Sequence, residues 1–274
     1  MKVIRKEAVA GIFYPADEGE LRSQINFLLD TYKPDKQYKN VVGIISPHAG
    51  YVYSGKSAAY AYNVLKDDTI FDTVIIISPS HREYFQGISI YQGDGYKTPL
   101  GVIPVNKSLT EKIIENGSHI HLGNEGHGPE HALEVQLPFL QMIKDDFSIV
   151  PIVIGDQSKE YINDLAESLS KCIGENIVVV VSSDLSHFHE KEKSVQLDSI
   201  IVNRLNEYNF NDLMEDLESH KCEACGGGGI AALMKAAGLI KESKAEVLSY
   251  TDSSEVSGDT SSVVGYLSAV IYRE

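Results

Sequence analysis

The sequence is poor in residues that several classes of protein require. Its 274 residues include no tryptophan, three cysteines and five arginines. Three cysteines in a chain long enough to bury its own core do not suggest a disulfide framework, and they fit a reducing cytoplasm. No run approaches the roughly 20 apolar residues of a membrane span, and no apolar run with a cleavage site follows the start. We therefore expect a cytoplasmic protein without a membrane partner.

Basic residues are scarce relative to acidic ones. The 24 lysines and arginines face 39 aspartates and glutamates, which gives a formal net charge of −15. Such a polyanion repels nucleic acid and anionic lipid, because phosphate binding depends on clustered basic side chains. The hydrophobic share of 43% is that of an ordinary globular protein. With no internal repeat or linker, the sequence predicts one domain over residues 1–274.

Short apolar runs rich in β-branched residues alternate with helical patterns. The runs are continuous, which is typical of buried parallel strands covered by helices on both faces. They lie at 41–46, 73–78, 147–154 and 176–183. Helices are predicted over 17–32, 55–65, 108–116, 130–143, 158–173, 192–206 and 211–219, with a hairpin or meander in 89–105 and two strands in the tail. The expected fold is α/β, with a mostly parallel or mixed central sheet flanked by helices.

Three of the predicted strands are followed by a histidine. His48 and His81 each follow a strand that a proline ends, and His187 lies in the loop after the strand at 176–183. Loops after parallel strands share one edge of the sheet, where ligands bind. Neutral imidazoles from separate loops can surround a metal ion. The alternative is that each histidine only ties down its own loop.

A cysteine pair precedes a glycine run and an apolar helix. Cys222 and Cys225 stand three apart, and four glycines follow Cys225. No second pair exists to complete a structural zinc finger. A helix N-terminus next to Cys225 is expected to lower its pKa and favour the thiolate, which is the form that binds metals. The alternative is a tight turn with a buried structural cysteine.

One further cluster surrounds residues 125–136. On the predicted helix, His131 and Glu134 share a face, so they could orient metal ligands from a second layer or mark a capped helix start. We place His131 among the residues that contact a ligand in the cleft.

Several motifs resemble the Memo family from one end of the chain to the other. They are AGIFYP (10–15), PHAGYVYSG (47–55), SPSH (78–81), EHALEVQLPFL (130–140), SSDLSH (182–187), CGGG (225–228) and VVGY (263–266). The resemblance implies a single Memo-like domain with the three-layer fold of class III extradiol dioxygenases, which hold non-haem iron with two histidines and one glutamate.

The resemblance also implies roles for particular residues. His48 and His81 match the two ligand histidines, and Cys225 stands where the dioxygenases carry their ligand glutamate. His187 matches the acid/base histidine, and Asp184 matches an acidic residue of the Memo pocket. A thiolate in place of a carboxylate softens the site, which favours copper, zinc or thiolate-bound iron. Microbial relatives suggest a functional link to radical-SAM and AMMECR-type proteins.

Three functions remain open from the sequence. The first is an iron- or copper-dependent oxidoreductase in which His187 moves protons and Asp184 orients it. The second is a non-catalytic module that binds a phosphorylated or aromatic small molecule or peptide, with Tyr51, Tyr53 and Arg82 as contacts. The third is a zinc-dependent hydrolase with His187 as the base.

Overall fold

Strands and helices alternate along the chain as the apolar runs predict. The structure, a computed structural model, describes residues 2–67 and 71–273. The strands are β1 (Ile4–Arg5), β2 (Val41–Ser46), β3 (Thr73–Pro79), β4 (Ile88–Tyr91), β5 (Gly95–Thr98), β6 (Gly101–Pro104), β7 (Ile120–Gly123), β8 (Ser148–Ile154), β9 (Ile177–Ser182), β10 (His187–His189), β11 (Lys244–Asp252) and β12 (Val263–Tyr272). The helices are α1 (Glu18–Thr31), α2 (Tyr51–Asp67), α3 (Lys107–Asn116), α4 (Leu137–Ile143), α5 (Lys159–Cys172), α6 (Lys191–Asn206), α7 (Phe210–Glu218), α8 (Gly227–Ile240) and α9 (Ser254–Ser257).

Nine strands form one mixed sheet. Its order is β10-β12-β2-β9-β3-β8-β4-β7, and β11 pairs with β12. The central strands β2, β9, β3 and β8 are parallel, while β12 and β4 flank them in the antiparallel direction. The predicted α/β fold with a mixed, centrally parallel sheet is confirmed.

Side chains of the central strands alternate between two apolar layers. On β3, Ile75 and Ile77 pack in the layer shared with α5 and α8, whereas Val74 and Ile76 pack in the layer shared with α1 and α2. Successive strand residues point to opposite faces, so a continuous apolar run needs cover on both sides. Of the helices in residues 2–67 and 71–273, none is both long and apolar enough to cross a membrane.

Two predicted elements differ in the structure. The helix expected over 130–143 begins only with a 3₁₀ turn at Glu134–Gln136, followed by α4. The N–H groups of His131 and Ala132 instead donate to the Glu130 side chain, which stabilises a turn in place of the helix start. The segment 89–105 contributes β4 to the large sheet, while β5 and β6 form an antiparallel hairpin in a separate sheet with β1.

A buried ion pair attaches the N-terminal strand to the segment before α4. Arg5 on β1 pairs with Glu134 through Nη1, and its Nε donates to the carbonyl of His127 at 3.1 Å. Glu134 also accepts from the backbone N–H groups of Ala8 and Val9 at 2.8 and 3.1 Å. Both charged side chains are almost inaccessible to solvent, so the charge of each must be compensated by the charge of the other.

Replacing Arg5 with methionine should lower the free energy of unfolding by about 3–5 kcal/mol, because Glu134 would keep a buried and unpaired charge. Chemical denaturation of the parent and the variant measures the loss. The control is Arg22→Met, since Arg22 forms a half-exposed pair with Glu18 on α1 and should change stability by about 0.5 kcal/mol or less. Adding Glu134→Gln to Arg5→Met should recover part of the loss. If the effects of the two substitutions on the free energy of unfolding simply added, Arg5 and Glu134 would not be coupled.

Candidate metal centre

The carboxyl ends of the parallel strands bring the predicted loops together. Ser46 at the end of β2 is in register with Ser182 at the end of β9. Two residues further along each loop lie His48 and Asp184, and the His48 backbone N–H donates to Asp184 Oδ1 at 2.8 Å. His81 enters from the end of the neighbouring strand β3. The register of the sheet therefore sets the spacing of these loops.

Three imidazole rings meet at this edge. Ring centroids are 5.1 Å apart for His48 and His81, 5.4 Å for His48 and His131, and 4.9 Å for His81 and His131. Each ring offers one nitrogen, and these nitrogens all lie within 4.8 Å of one another. The group could therefore hold a metal ion. The sequence predicted two of its members as ligands and treated His131 only as a ligand-contacting or supporting residue.

Hydrogen bonds decide which nitrogen of His48 is free. The Ser182 hydroxyl donates its single proton to the carbonyl of Ala132 at 2.7 Å and accepts from the Gln136 amide at 2.8 Å. His48 Nδ1 lies 2.8 Å from the same hydroxyl oxygen, so Nδ1 must be the donor of that bond. Nε2 is then unprotonated. Burial, with His81 and His131 adding to it, lowers the pKa of His48 well below its usual value and keeps the ring neutral.

Glu130 performs the same task for His81. Its Oε1 accepts from His81 Nδ1 at 3.0 Å, and its Oε2 accepts from the His81 backbone N–H at 2.5 Å. Burial by itself raises the pKa of Glu130, but the nearby His131 ring and the hydrogen bonds from His81 and the Ala132 backbone outweigh it and hold the pKa well below its usual range. The carboxylate is thus ionised and can only accept. This leaves His81 Nε2 as the nitrogen available to a metal.

His131 carries a nitrogen without a hydrogen-bond partner. Its Nδ1 is buried and lies 3.2 Å from Glu130 Oε1 without the alignment of a hydrogen bond. Phe13 packs against the ring, with centroids 4.7 Å apart. A buried nitrogen left unpaired is unfavourable unless something else binds it. Beside the rings of His48 and His81, this orphaned atom fits a metal-binding role.

Cys225 contacts the cluster from one side. Its Sγ lies 3.2 Å from His48 Nε2, and the Asp184 backbone N–H donates to it at 3.2 Å. Gly226 permits this approach, because a Cβ there would lie 2.4 Å from the Ser182 carbonyl oxygen. Among residues 2–67 and 71–273, however, the set within 4.8 Å contains the three histidines without the thiol. Cys225 therefore stays a predicted ligand.

The expected pKa shift of Cys225 is wrong in direction. Burial and the charge of Asp184 raise the pKa of the thiol well above its usual value. Helix α8 begins two residues later, at Gly227, and its N-terminus does not overcome these effects. Without a metal the side chain is a neutral thiol.

Asp184 contacts the His48 loop, and His187 borders a cavity beside Cys225. Asp184 is buried, which raises its pKa, and it holds the His48 loop rather than making a hydrogen bond to His187 within the described chain. His187 borders a cavity of about 400 Å³ whose walls include Cys225, Leu185 and Met214. Cys225 thus stands between the histidine cluster and a space large enough for a small molecule.

The predicted ligand-contacting aromatic residues divide into two groups. Tyr51 is buried: its hydroxyl donates to the Val135 carbonyl at 2.7 Å, and its ring packs on Phe139. The prediction that Tyr51 contacts a ligand is therefore wrong, because the first turn of α2 faces the core at this residue. Tyr53 is exposed in the same turn, and Arg82 is exposed directly after His81. Both remain available to a ligand.

Glu130 was not identified from the sequence as a site residue, although it directly precedes His131. Glu134 was considered for that supporting role, but it pairs with Arg5 instead. Only the turn at 130–132, which replaces the predicted helix, directs the Glu130 carboxylate at the histidines.

Comparison with known proteins agrees with the Memo-like motifs of the sequence. A family profile described as Memo-like protein matches residues 5–270. A MEMO1 family protein of Thermoplasma volcanium is 36% identical over 274 residues, covering 99% of this chain and 100% of its own. Another from Thermotoga maritima is 35% identical over 279 residues, covering 98% and 99%. The chain belongs to the Memo family.

The fold of this Memo family protein is also similar to a solved structure of low identity. The crystal structure of an uncharacterized protein from Escherichia coli K12 matches with a TM-score of 0.54 and 12% identity, covering 83% of this chain and 99% of that one. At this identity the likeness concerns the fold alone.

Glu130→Gln should weaken metal binding about 10–100-fold, because an amide cannot accept all four bonds that hold the His81 and His131 segments. Competition with a chromogenic chelator measures the affinity. The matched control is Glu125→Gln, an exposed carboxylate five residues earlier, which should bind metal like the parent. Equal affinities in all three proteins would show that Glu130 does not position the ligands.

Proposed function

We propose that this Memo family protein is a metal-dependent oxidoreductase that holds a redox-active iron or copper ion at His48, His81 and Cys225, with His131 as an additional donor. The supporting observation is the pair of tautomers that Ser182 and Glu130 impose. They leave one lone pair on His48 and one on His81, in neighbouring loops. Metal binding therefore need not displace a proton from either nitrogen.

The donor set suits a borderline or soft metal. Imidazole binds iron, copper and zinc, and a thiolate shifts the preference away from hard ions such as magnesium. When bound, iron or copper would supply one-electron chemistry that the side chains cannot perform themselves. The 3.2 Å between Cys225 Sγ and His48 Nε2 is short enough for one ion to contact both atoms, given bond lengths of about 2.3 and 2.0–2.1 Å for zinc.

Cys225 must lose a proton to bind a metal. Burial and Asp184 make that loss costly in the metal-free protein, where the thiol contacts the backbone of Asp184 in the loop after β9. Metal binding through Cys225 should therefore release a proton.

The 400 Å³ cavity is where a small-molecule or peptide ligand would approach. Cys225 and His187 both line it, so a ligand there would lie between the metal position and an imidazole able to hold or accept a proton. Leu185, Met214 and Leu217 provide an apolar wall, while Glu218 and Glu223 supply charge. In this proposal Asp184 positions His48 and acts on the site only through it.

The metal content of protein purified without added metal tests the site. We expect about one iron or copper per chain in the parent, and less than about a fifth of that in His48→Ala and His81→Ala, because each removes one of few ligands. Cys225→Ser should retain metal more weakly and lose the sulfur-to-metal absorption band. The control is His121→Ala, which removes a surface histidine on β7.

Two results would contradict the proposal in different ways. Parent-like metal content in both histidine variants would place the ion elsewhere. The native metal could instead prove to be zinc, and the protein would then show no paramagnetic signal that dithionite removes and air restores. That result would favour the zinc-dependent hydrolase.

His187→Gln should leave metal content unchanged, because its ring lies outside the three-histidine group. It should slow reoxidation of the dithionite-reduced protein in air by about 10²-fold, since a positioned proton donor typically contributes that much or more. Stopped-flow absorption at the metal band follows the rate. His220→Gln alters another histidine of the same cavity and serves as the control. Equal slowing in both variants would indicate a general change in the cavity instead of a specific role for His187.

A further inference from the structure

A second cavity lies at the opposite end of the sheet from the histidines. It has a volume of about 490 Å³ and borders Val41 and Ile177, the first residues of β2 and β9. The loops of the candidate metal centre follow the other ends of the same strands. Lys241 at the end of α8 and Arg273 after β12 complete its wall. The two sites are therefore separated by the length of the central strands.

Three cations surround this cavity. They are Lys39, Lys241 and Arg273, against one carboxylate, Glu175. None of the three forms an ion pair within residues 2–67 and 71–273. Other cations, such as Lys36 and Lys56, pair with a carboxylate. Three cations around one cavity with a single carboxylate produce a positive potential that favours an anion.

The guanidinium group of Arg273 gives the clearest evidence that an anionic partner is missing. Its Nε and Nη2 atoms are buried and have no hydrogen-bond acceptor in the described chain. These two nitrogens form one edge of the guanidinium group, which is the edge that matches two oxygens of a phosphate or carboxylate. Meanwhile its backbone is anchored, because the Arg273 N–H donates to the Asn40 carbonyl at 3.1 Å. The backbone of Arg273 is thus held beside the cavity, while the bidentate edge of its side chain is unused.

We propose that this cavity binds the phosphate group of a small phosphorylated metabolite. A modest rotation of the Arg273 side chain would turn the unpaired edge into the cavity, and Lys39 and Lys241 would neutralise the rest of a doubly charged group. A phosphate dianion suits three cations better than a single carboxylate does. The volume lies within the range of small-molecule sites and leaves room for more than inorganic phosphate.

Calorimetric titration with inorganic phosphate and with glycerol 3-phosphate, at ionic strength held constant with chloride, tests the proposal. We expect both to bind the parent, with glycerol 3-phosphate the tighter of the two. Arg273→Gln should weaken binding about tenfold or more, and Lys241→Gln should weaken it several-fold. Arg22→Gln, which removes an exposed arginine on α1, should bind like the parent.

Further measurements distinguish this site from the metal centre and distinguish phosphate from other anions. His81→Ala should bind phosphate like the parent, and Arg273→Gln should keep the parent's metal content. Loss of phosphate binding in His81→Ala would place the anion at the metal centre and overturn the proposal. Binding of citrate without binding of phosphate would overturn it as well. Lys241 is exposed, so Lys241→Gln remains decisive if Arg273→Gln fails to fold, and unchanged binding in Lys241→Gln would contradict the site.

Discussion

The buried Glu130 carboxylate accepts four hydrogen bonds, and the candidate metal centre depends on them. They join the loop after β3 to the segment that carries His131, two stretches about 50 residues apart in sequence. Because an ionised carboxylate only accepts, the same bonds also select the tautomer of His81. One side chain therefore holds two histidine-bearing segments together and determines which nitrogen of His81 is available to a metal.

That carboxylate is itself held by the N-terminal strand. Arg5 donates to the backbone carbonyls of His127, Gly128 and Glu130 and pairs with Glu134, four residues further along the chain. A buried charge is tolerated only when it is compensated, so the segment has few alternative positions. The small sheet formed by β1, β5 and β6 is thereby coupled to the geometry of a site formed on the large sheet.

The two ends of the central strands have opposite chemistry. At the carboxyl ends the loops offer imidazole nitrogens and a thiol, in a setting where burial keeps His48 and Cys225 uncharged. At the amino ends, Lys241 and Arg273 offer positive charge around an open cavity. Because a parallel sheet gathers its strand ends into two edges, the candidate metal centre and the proposed anion site lie at opposite ends of the same strands.

The sequence by itself determined the sheet and the strand-end histidines. A continuous β-branched run such as that of β3 can be satisfied only with cover on both faces, and residues just beyond parallel strands must share an edge. Hence His48 and His81 could be predicted to meet. The tertiary structure decided the rest. His131 and Glu130 come from a segment without strand periodicity, and its contacts with Arg5, Ser182 and His81 bring them to the site. The sequence also could not reveal that Tyr51 faces the core or that Cys225 stays protonated, because burial depends on the packing of distant segments.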